Sequence, residues 1–357
     1  MMALKYICDR MQDYNINFFV NELVEASKNL GILQAKIDAY KFNSILIPMF
    51  HRKEVMSSMD IEGTQRTTLS DICEREVDPK LHDEKESIEI RNHTKALIFG
   101  AEHLRANKFT HSFIQEVHKI MLTDVEPPNP DKPIGKYKIK NNQIENGAGT
   151  VVFIPPVVSE TKKYMNELID FINNGSDIHP LIKAAIIHSQ FESIHPFADG
   201  NGRVGRILVS LYLYKANVIN FPFFYISEAI NQDKRVYYNM LTNSRNSSYD
   251  EWIKYFLNKI IVQTNKHTEY IDSLNNLYSK TKSTVQKIIN SPKFDDVIEC
   301  LFTNPVLNAN YIEDKLNISH GQAVRYLNVL EKAGILFGDD KQRGRRFYFL
   351  ELLDLAQ

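Results

Sequence analysis

Cysteine is scarce in this chain: Cys8, Cys73 and Cys300 are the only three among 357 residues. They are odd in number, far apart and show no CxxC. That excludes a disulfide framework and a thiolate metal site, and fits a reducing compartment. Long apolar runs are missing as well. No stretch approaches the about 18 residues that a membrane span needs. Met1–Asp13 alternates charged and apolar residues instead of building the apolar core of a signal peptide. The expectation is a cytoplasmic protein with no membrane partner. Charge of one sign is lacking too. Lys and Arg number 43 against 44 Asp and Glu, a net charge of −1. The whole-chain field therefore draws in neither nucleic acid nor anionic membrane, and any polyanion binding must be local. Internal repeats and low-complexity tracts are absent. What remains is ordinary for a globular chain, with 43% hydrophobic residues. At roughly 100–200 residues per domain the length predicts two or three domains.

Most of the chain reads as helix. Phe18, Leu23, Leu30, Leu33, Ile37 and Tyr40 recur near a 3.6-residue period over 15–45, and similar patterns fill 83–105 and 110–123. From 136 to 154 the pattern changes. Tyr137–Lys140 alternates, Asn146–Gly149 supplies turn chemistry, and Thr150–Ile154 is β-branched and apolar, which predicts a short β-hairpin stopped by Pro155-Pro156. Helices are expected again at 159–174, 179–193, 203–216, 227–243 and 249–276. The polar stretch 277–292, ending in Ser291-Pro292, reads as a linker. Beyond it, helices at 293–302, 308–316 and 320–333 precede Ile335–Phe337, a turn at Gly338–Asp340, a basic stretch Lys341–Arg346 and Phe347–Leu350. Three helices and a β-hairpin predict a winged helix-turn-helix module. The fold class expected is mainly α, in three parts: an N-terminal helical region over 1–80, a catalytic domain over 81–280 and the winged module over 290–357.

The chemistry concentrates between His195 and Arg206. A glycine-rich turn at a helix N-terminus is an anion site, because free amides point outward and the helix dipole favours negative charge. Gly200 and Gly202 let the backbone approach an anion closely. Arg203 and Arg206 are close to one turn apart and can reach one phosphate chain. Asp199 is a hard oxygen ligand suited to Mg²⁺ bridging phosphates. His195 is placed to take a proton from an attacking hydroxyl. Gly200–Gly205 also matches GxGxxG, but a helix precedes it and no acidic residue lies about twenty positions on, so a dinucleotide site is excluded. No lysine follows the glycines, which excludes a GK[ST] phosphate loop. His188, Glu192 and His195 lack the HExxH spacing of a zinc protease.

Taken together, His195–Arg206 resembles HxFx[D/E]GNGRxxR, the defining motif of the Fic family, at every fixed position. The resemblance extends over roughly 15–275. It implies an all-helical catalytic core in which the hairpin Val151, Val152, Phe153 and Ile154 is a flap that docks a target segment by strand pairing. It also implies the reaction: His195 deprotonates a Ser, Thr or Tyr hydroxyl of a target protein, which receives AMP from ATP. Phe197 would anchor the loop, Asp199 would hold Mg²⁺, and Gly200, Asn201 and Gly202 would form an anion hole. Arg203 and Arg206 would hold the outer phosphates, and Tyr238 and Leu241 would line the adenine pocket. Arg245 stands where many relatives have Asn, a departure that touches the purine contacts.

Ser57–Gly63 resembles the family's inhibitory motif [S/T]xxxE[G/N], with Ser58, Glu62 and Gly63 at its fixed places. The implied device is a carboxylate, Glu62, paired with Arg206 in place of the γ-phosphate. In some relatives this Glu also supports removal of AMP, an alternative the sequence leaves open. For the winged module, His320, Gln322, Arg325, Asn328 and Lys332 form a face that could read DNA, and Lys341, Arg343, Arg345 and Arg346 could grip phosphate. Residues 291–357 nevertheless hold eight basic and ten acidic side chains, which is no DNA-binding footprint. A DNA or a protein partner, and a homodimer, stay open. Two functions of different class follow: an AMP-transferring enzyme, or a nucleotide-sensing transcription regulator.

Overall fold

The computed structural model describes residues 13–39, 43–63, 68–81, 85–125, 127–145, 149–174, 177–221, 224–341 and 343–355, with the side chains of 43–47 and 79 left aside. Cys8, nearly all of the Met1–Asp13 stretch and the Asn146–Ala148 part of the expected turn lie outside them. In chain order the elements are α1 (Val20–Ala39), α2 (Asn43–Ile61), α3 (Leu69–Val77), α4 (Lys85–Ala106), α5 (His111–Leu122), β1 (Ile144–Glu145), β2 (Val151–Phe153), α6 (Val158–Asn174), α7 (Pro180–Ile194) and α8 (Asn201–Lys215). There follow α9 (Ser227–Asn231), α10 (Lys234–Asn246), α11 (Asp250–Ile288), α12 (Phe294–Thr303), β3 (Val306–Asn308), α13 (Ala309–Leu316), α14 (His320–Lys332), β4 (Phe337–Gly338), β5 (Arg346–Tyr348) and α15 (Leu350–Leu355). The chain is mainly α, with only two small antiparallel sheets among the described residues. No helix among them is long and apolar enough to cross a membrane.

Two compact units interleave along the sequence. The first takes residues 1–35, 57–65 and 88–265, and the second 36–56, 66–87 and 266–357. In the first unit α7 and α8 form the central pair. Every residue of α7 from Leu181 to Ile194 is buried, as befits a helix with an apolar character on all sides. Helix α8 is buried from Val204 to Leu213. The indole of Trp252 donates to the Ala185 carbonyl at 2.7 Å and fixes the start of α11 against α7. In the second unit the sheet order is β3-β5-β4, antiparallel, with Leu307 opposite Phe347 and Phe337 opposite Tyr348. Asn317, in the left-handed region, ends α13, and the Ser319 hydroxyl caps α14. Val297, Leu301, Phe302, Leu307, Ile312, Leu327, Leu330 and Phe349 form the core of this part.

Three expectations of local structure are corrected. Residues 277–288 are helix, not linker. Leu274, Tyr278, Thr281 and Val285 are buried at three- to four-residue spacing, so the polar residues between them are only the wet face of α11. The hairpin is shorter than 136–154: its strands are Ile144–Glu145 and Val151–Phe153. Tyr137–Lys140 lies outside it because Lys138 turns inward, its N–H donating to the Pro196 carbonyl at 2.8 Å. The helix expected over 227–243 breaks at Asp233, whose carboxylate is held by Lys259 at 2.7 Å and Tyr255 at 3.0 Å. Helix α15 was not anticipated.

Candidate active site

The turn joining α7 to α8 organises the site. Pro180 at the first helical position and the His179 imidazole, which accepts the Leu181 N–H, start α7. His195 ends it in the left-handed region, at φ 48° and ψ 59°. A non-glycine residue held there stores roughly 1–3 kcal/mol. Its surroundings hold it. The His195 N–H donates to the Phe191 carbonyl at 2.9 Å. The Asn142 amide donates to the carbonyls of His195 and Phe197 at 3.2 and 3.0 Å. The Lys138 ammonium donates to the Ile194 carbonyl at 3.4 Å. Phe197 is fully buried and stacks on His118, ring centroids 3.8 Å apart. His118 Nδ1 accepts the Gly135 N–H, so its Nε2 carries the proton and donates to the Asp199 carbonyl at 3.1 Å. Burial pushes this imidazole down to about 4, which keeps it neutral in that role.

Gly200, at φ 73°, lets the chain reverse into α8. The Asn201 side chain does not face outward: its Oδ1 accepts the Phe197 N–H and its Nδ2 donates to the Phe197 carbonyl, both at 2.9 Å. The first bond of α8 to follow Gly200 is donated by Val204, at 3.0 Å to the Gly200 carbonyl. The amides before it therefore face forward from the helix, the geometry of an anion site. Glu62 already lies against them, since a Cβ on Gly202 would collide with its Oε1.

Arg206 is buried, 2% exposed. Its Nε and Nη2 donate to the Ser58 hydroxyl at 3.0 and 2.9 Å, and Nη2 also reaches the Ser58 carbonyl at 3.1 Å and Glu62 Oε1 at 2.8 Å. Despite burial, the Glu62 carboxylate raises the guanidinium above its ordinary range, so it stays charged. Several groups fasten the end of α2. Gly63, at φ 73°, donates to the Asp60 carbonyl. The Tyr238 hydroxyl donates to the Ile61 carbonyl at 3.0 Å, and Lys234 to the Asp60 carbonyl at 3.1 Å, a cation at a helix C-terminus.

The remaining expected residues fall into place less simply. Arg203 does not join Arg206: it pairs with Glu89 at 3.1 Å and lies 3.6 Å from Asp199. Leu241 is buried, 4% exposed, whereas Tyr238 is half exposed. Val151, Val152 and Ile154 are exposed on the hairpin, and the Arg245 guanidinium lies 3.9 Å from the Phe153 ring centroid while donating to the Ser193 hydroxyl at 3.2 Å. His188, fully buried, bonds the Tyr237 hydroxyl at 2.8 Å and belongs to the core. Among the described residues no three His, Cys, Asp or Glu side chains converge to hold a metal ion. Asp199, half exposed, offers one carboxylate, its Oδ1 accepting the Gly200 N–H at 2.6 Å. That donor set fits an ion held mostly by phosphate oxygens and water, and not a closed protein cage.

His195 can act as a base. Burial, assisted by Lys138 and Arg245, pushes the imidazole down to about 4, so it is neutral near pH 7. Its Nδ1 faces the Glu192 carbonyl at 3.4 Å. Residues that shape the site without a sequence signal are Lys138, Asn142, His118, Glu89 and Glu192. Tyr137–Lys140 read as strand alternation, which gave no sign that Lys138 and Asn142 reach the carbonyls of 194–197.

A histidine in the left-handed region thus ends one helix, and a turn of free amides followed by a buried guanidinium opens the next. The Fic/DOC family pattern matches residues 108–213, and the Fic/DOC family N-terminal pattern matches 20–102. The chain belongs to the Fic/DOC family. A probable protein adenylyltransferase of Aquifex aeolicus is 30% identical over 150 residues, 40% of this chain and 45% of that protein. The protein adenylyltransferase fic-1 of Caenorhabditis elegans is 32% identical over 105 residues, 29% of this chain and 19% of that one. The chain thus spans less than half the length of these curated relatives. The crystal structure of a Fic family protein from Desulfovibrio desulfuricans shares the fold, with TM-score 0.58 and 19% identity over 94% of this chain and 97% of that one.

Proposed function

We propose that this chain is a protein adenylyltransferase, transferring AMP from ATP to a Ser, Thr or Tyr hydroxyl of a target protein, itself included, with Glu62 as its brake. The observation that carries the reading is the buried Arg206 guanidinium, held by an exchangeable carboxylate at 2.8 Å beside an amide cradle and a neutral histidine. The names of the relatives support it. In the reaction His195 accepts the hydroxyl proton while the oxygen attacks the α-phosphorus, and the bond to pyrophosphate breaks. The amides of Asn201 and Gly202 receive phosphate oxygens, and Arg206, freed of Glu62, binds the outer phosphates. Arg203 would serve them after leaving Glu89. Mg²⁺ bound at Asp199 would neutralise charge on the phosphates. Tyr238 supplies the exposed aromatic surface for adenine, and the hairpin edge at Val151–Ile154 pairs with the target strand.

Incubation with ATP and Mg²⁺ should add about 329 Da per transfer, AMP less water, the mass of a covalent phosphodiester. His195→Ala should lower the rate by at least about 10²–10⁴-fold, the worth of a general base. Labelling by that variant at the parent rate would refute the mechanism.

For the three helices and sheet of residues 294–348, read as a winged helix, one observation favours a protein partner over DNA. Arg345 is paired with Glu331 at 2.7 Å, and Arg346 with Glu74 and Asp78 at 2.6 and 2.8 Å. Two of the four wing cations are thereby already neutralised inside the unit.

A further inference from the structure

Glu192 is an anomaly that the reading above does not use. It sits one turn before His195 on α7 and is 6% exposed. Its Oε1 has no hydrogen-bond partner. Its Oε2 lies 4.0 Å from His195 Nδ1. Helix α8 makes room for it only through glycine, since a Cβ on Gly205 would collide with Oε1. Burying a carboxylate with an unmet oxygen is costly, and an apolar side chain of like volume would pack there without that cost. A costly acid beside a catalytic base calls for a function.

We propose that Glu192 is a positioning residue of the transfer step: its carboxylate stands behind His195 and carries the countercharge when the imidazole accepts the target's hydroxyl proton. The inference rests on the proposed AMP transfer. The proton moves from the hydroxyl to His195 Nε2, the oxygen–phosphorus bond forms and pyrophosphate leaves. The resulting imidazolium presents its Nδ1–H to the Glu192 carbonyl at 3.4 Å and to the carboxylate behind it. Burial, Lys138 and Arg245 disfavour that cation, and Glu62, which favours it, is the carboxylate that leaves when phosphate takes Arg206, so an anion that stays beside the ring is what the step needs. The logic is that of a buried acid orienting and stabilising a histidine base.

The groups that face or act on Glu192 are Arg206 on α8, Arg245, Tyr237 and Tyr238 on α10, Glu62 past α2, and His188 and His195 on α7 itself. Burial raises Glu192 most, Arg206 and Arg245 oppose it, Glu62 adds to it, and the carboxyl is pushed up to about 7. An acid with a raised value is ionised above it and neutral below. The rate therefore climbs as pH rises through about 7, where the countercharge appears, while His195 is neutral throughout that interval.

The test uses the full chain carrying Glu62→Gly, with Glu192→Gln added. The glutamine keeps the shape and removes the ionisation. Initial self-modification rates are taken from pH 5.5 to 9 at several ATP concentrations. Separately, the His195 ring resonances are titrated by NMR. The expected result is a fall in kcat of roughly tenfold or more, one pKa unit of lost basicity or greater, an unchanged KM for ATP and loss of the parent's acid-side pH dependence, which the removal of Glu62 moves below 7. The matching step in the His195 signals should vanish with it, and Glu192→Asp should restore part of both. A glutamine variant that matches its parent's rate at all pH values, or a ring signal that steps identically in both proteins, overturns the proposal. Should the parent transfer no AMP at all, the functional reading fails, and the ring titration still decides the coupling of Glu192 to His195.

Discussion

Replacing Glu62 by glycine should raise self-modification by about one to two orders of magnitude. The size follows from the contact it removes. Arg206 is 1% exposed at its side chain and Glu62 33%, and they meet at 2.8 Å. A fully exposed pair would be worth about 0–1 kcal/mol, and a charge-assisted hydrogen bond in a buried setting about 1.5–3 kcal/mol. A pair with one partner buried lies between, near 1.5–2.5 kcal/mol on those principles, and each 1.4 kcal/mol is about tenfold in the population of open sites. Ser58 still holds the guanidinium through its hydroxyl and carbonyl in the variant. The cation is thus not orphaned, and the effect is lost competition rather than collapse. Glu62 follows the last helical residue, Ile61, so glycine there costs α2 little. The assay is the initial rate of AMP incorporation at saturating ATP, with His195→Ala as background. Glu62→Gln, which keeps the reach but not the charge, should fall between parent and glycine variant. A glycine variant within twofold of the parent would show that phosphate does not compete with Glu62 for Arg206.

Two further outcomes follow. Asn201→Ala removes the acceptor for the buried Phe197 N–H, while the Phe197 carbonyl keeps Asn142. One orphaned buried donor should lower stability by roughly 1–3 kcal/mol, read as a lower urea midpoint with unchanged m, and ATP affinity should fall although no side chain touching phosphate has changed. At low salt, micromolar protein should leave random duplex DNA unshifted in a gel, since Arg345 and Arg346 are already paired; a shift that weakens steeply with salt would restore the DNA-reading alternative.

Much of the site was legible because its core is local. His195, Asp199, Gly200, Gly202 and Arg206 lie within twelve residues, and a helix–turn–helix of that length can arrange them in few ways. Helices with a clear apolar period were legible for the same reason. The errors came where burial depends on distant partners. The polar letters of 277–288 hid the buried line of Tyr278, Thr281 and Val285. Lys138 read as one step of an alternating strand, yet it is buried and clasps the Ile194 carbonyl. Its charge gave no hint of this, and burial pushes its ammonium down to about 8. Helical spacing puts Arg203 near Arg206, and its pairing with Glu89, 114 positions away, left no mark in the sequence.

The same distinction runs inside the motif. Gly200 and Gly202 act through their backbones, Arg206 through its charge, and Asn201 through a side chain turned back onto Phe197. A string of letters gives these equal weight, and only the hydrogen-bond partners separate a residue whose amide or charge is turned outward from one whose side chain holds the loop. Glu192 makes the point from the other side. It lies outside the fixed letters, and by sequence it figures only in a metal trio with His188 and His195 that lacks the HExxH spacing. Its importance comes from a glycine at position 205 and an unmet oxygen in the core. Sequence spacing can bring an acid within one turn of a histidine. Whether that acid is solvated and inert, or dry and aimed at the ring, is decided by the helix packed across from it.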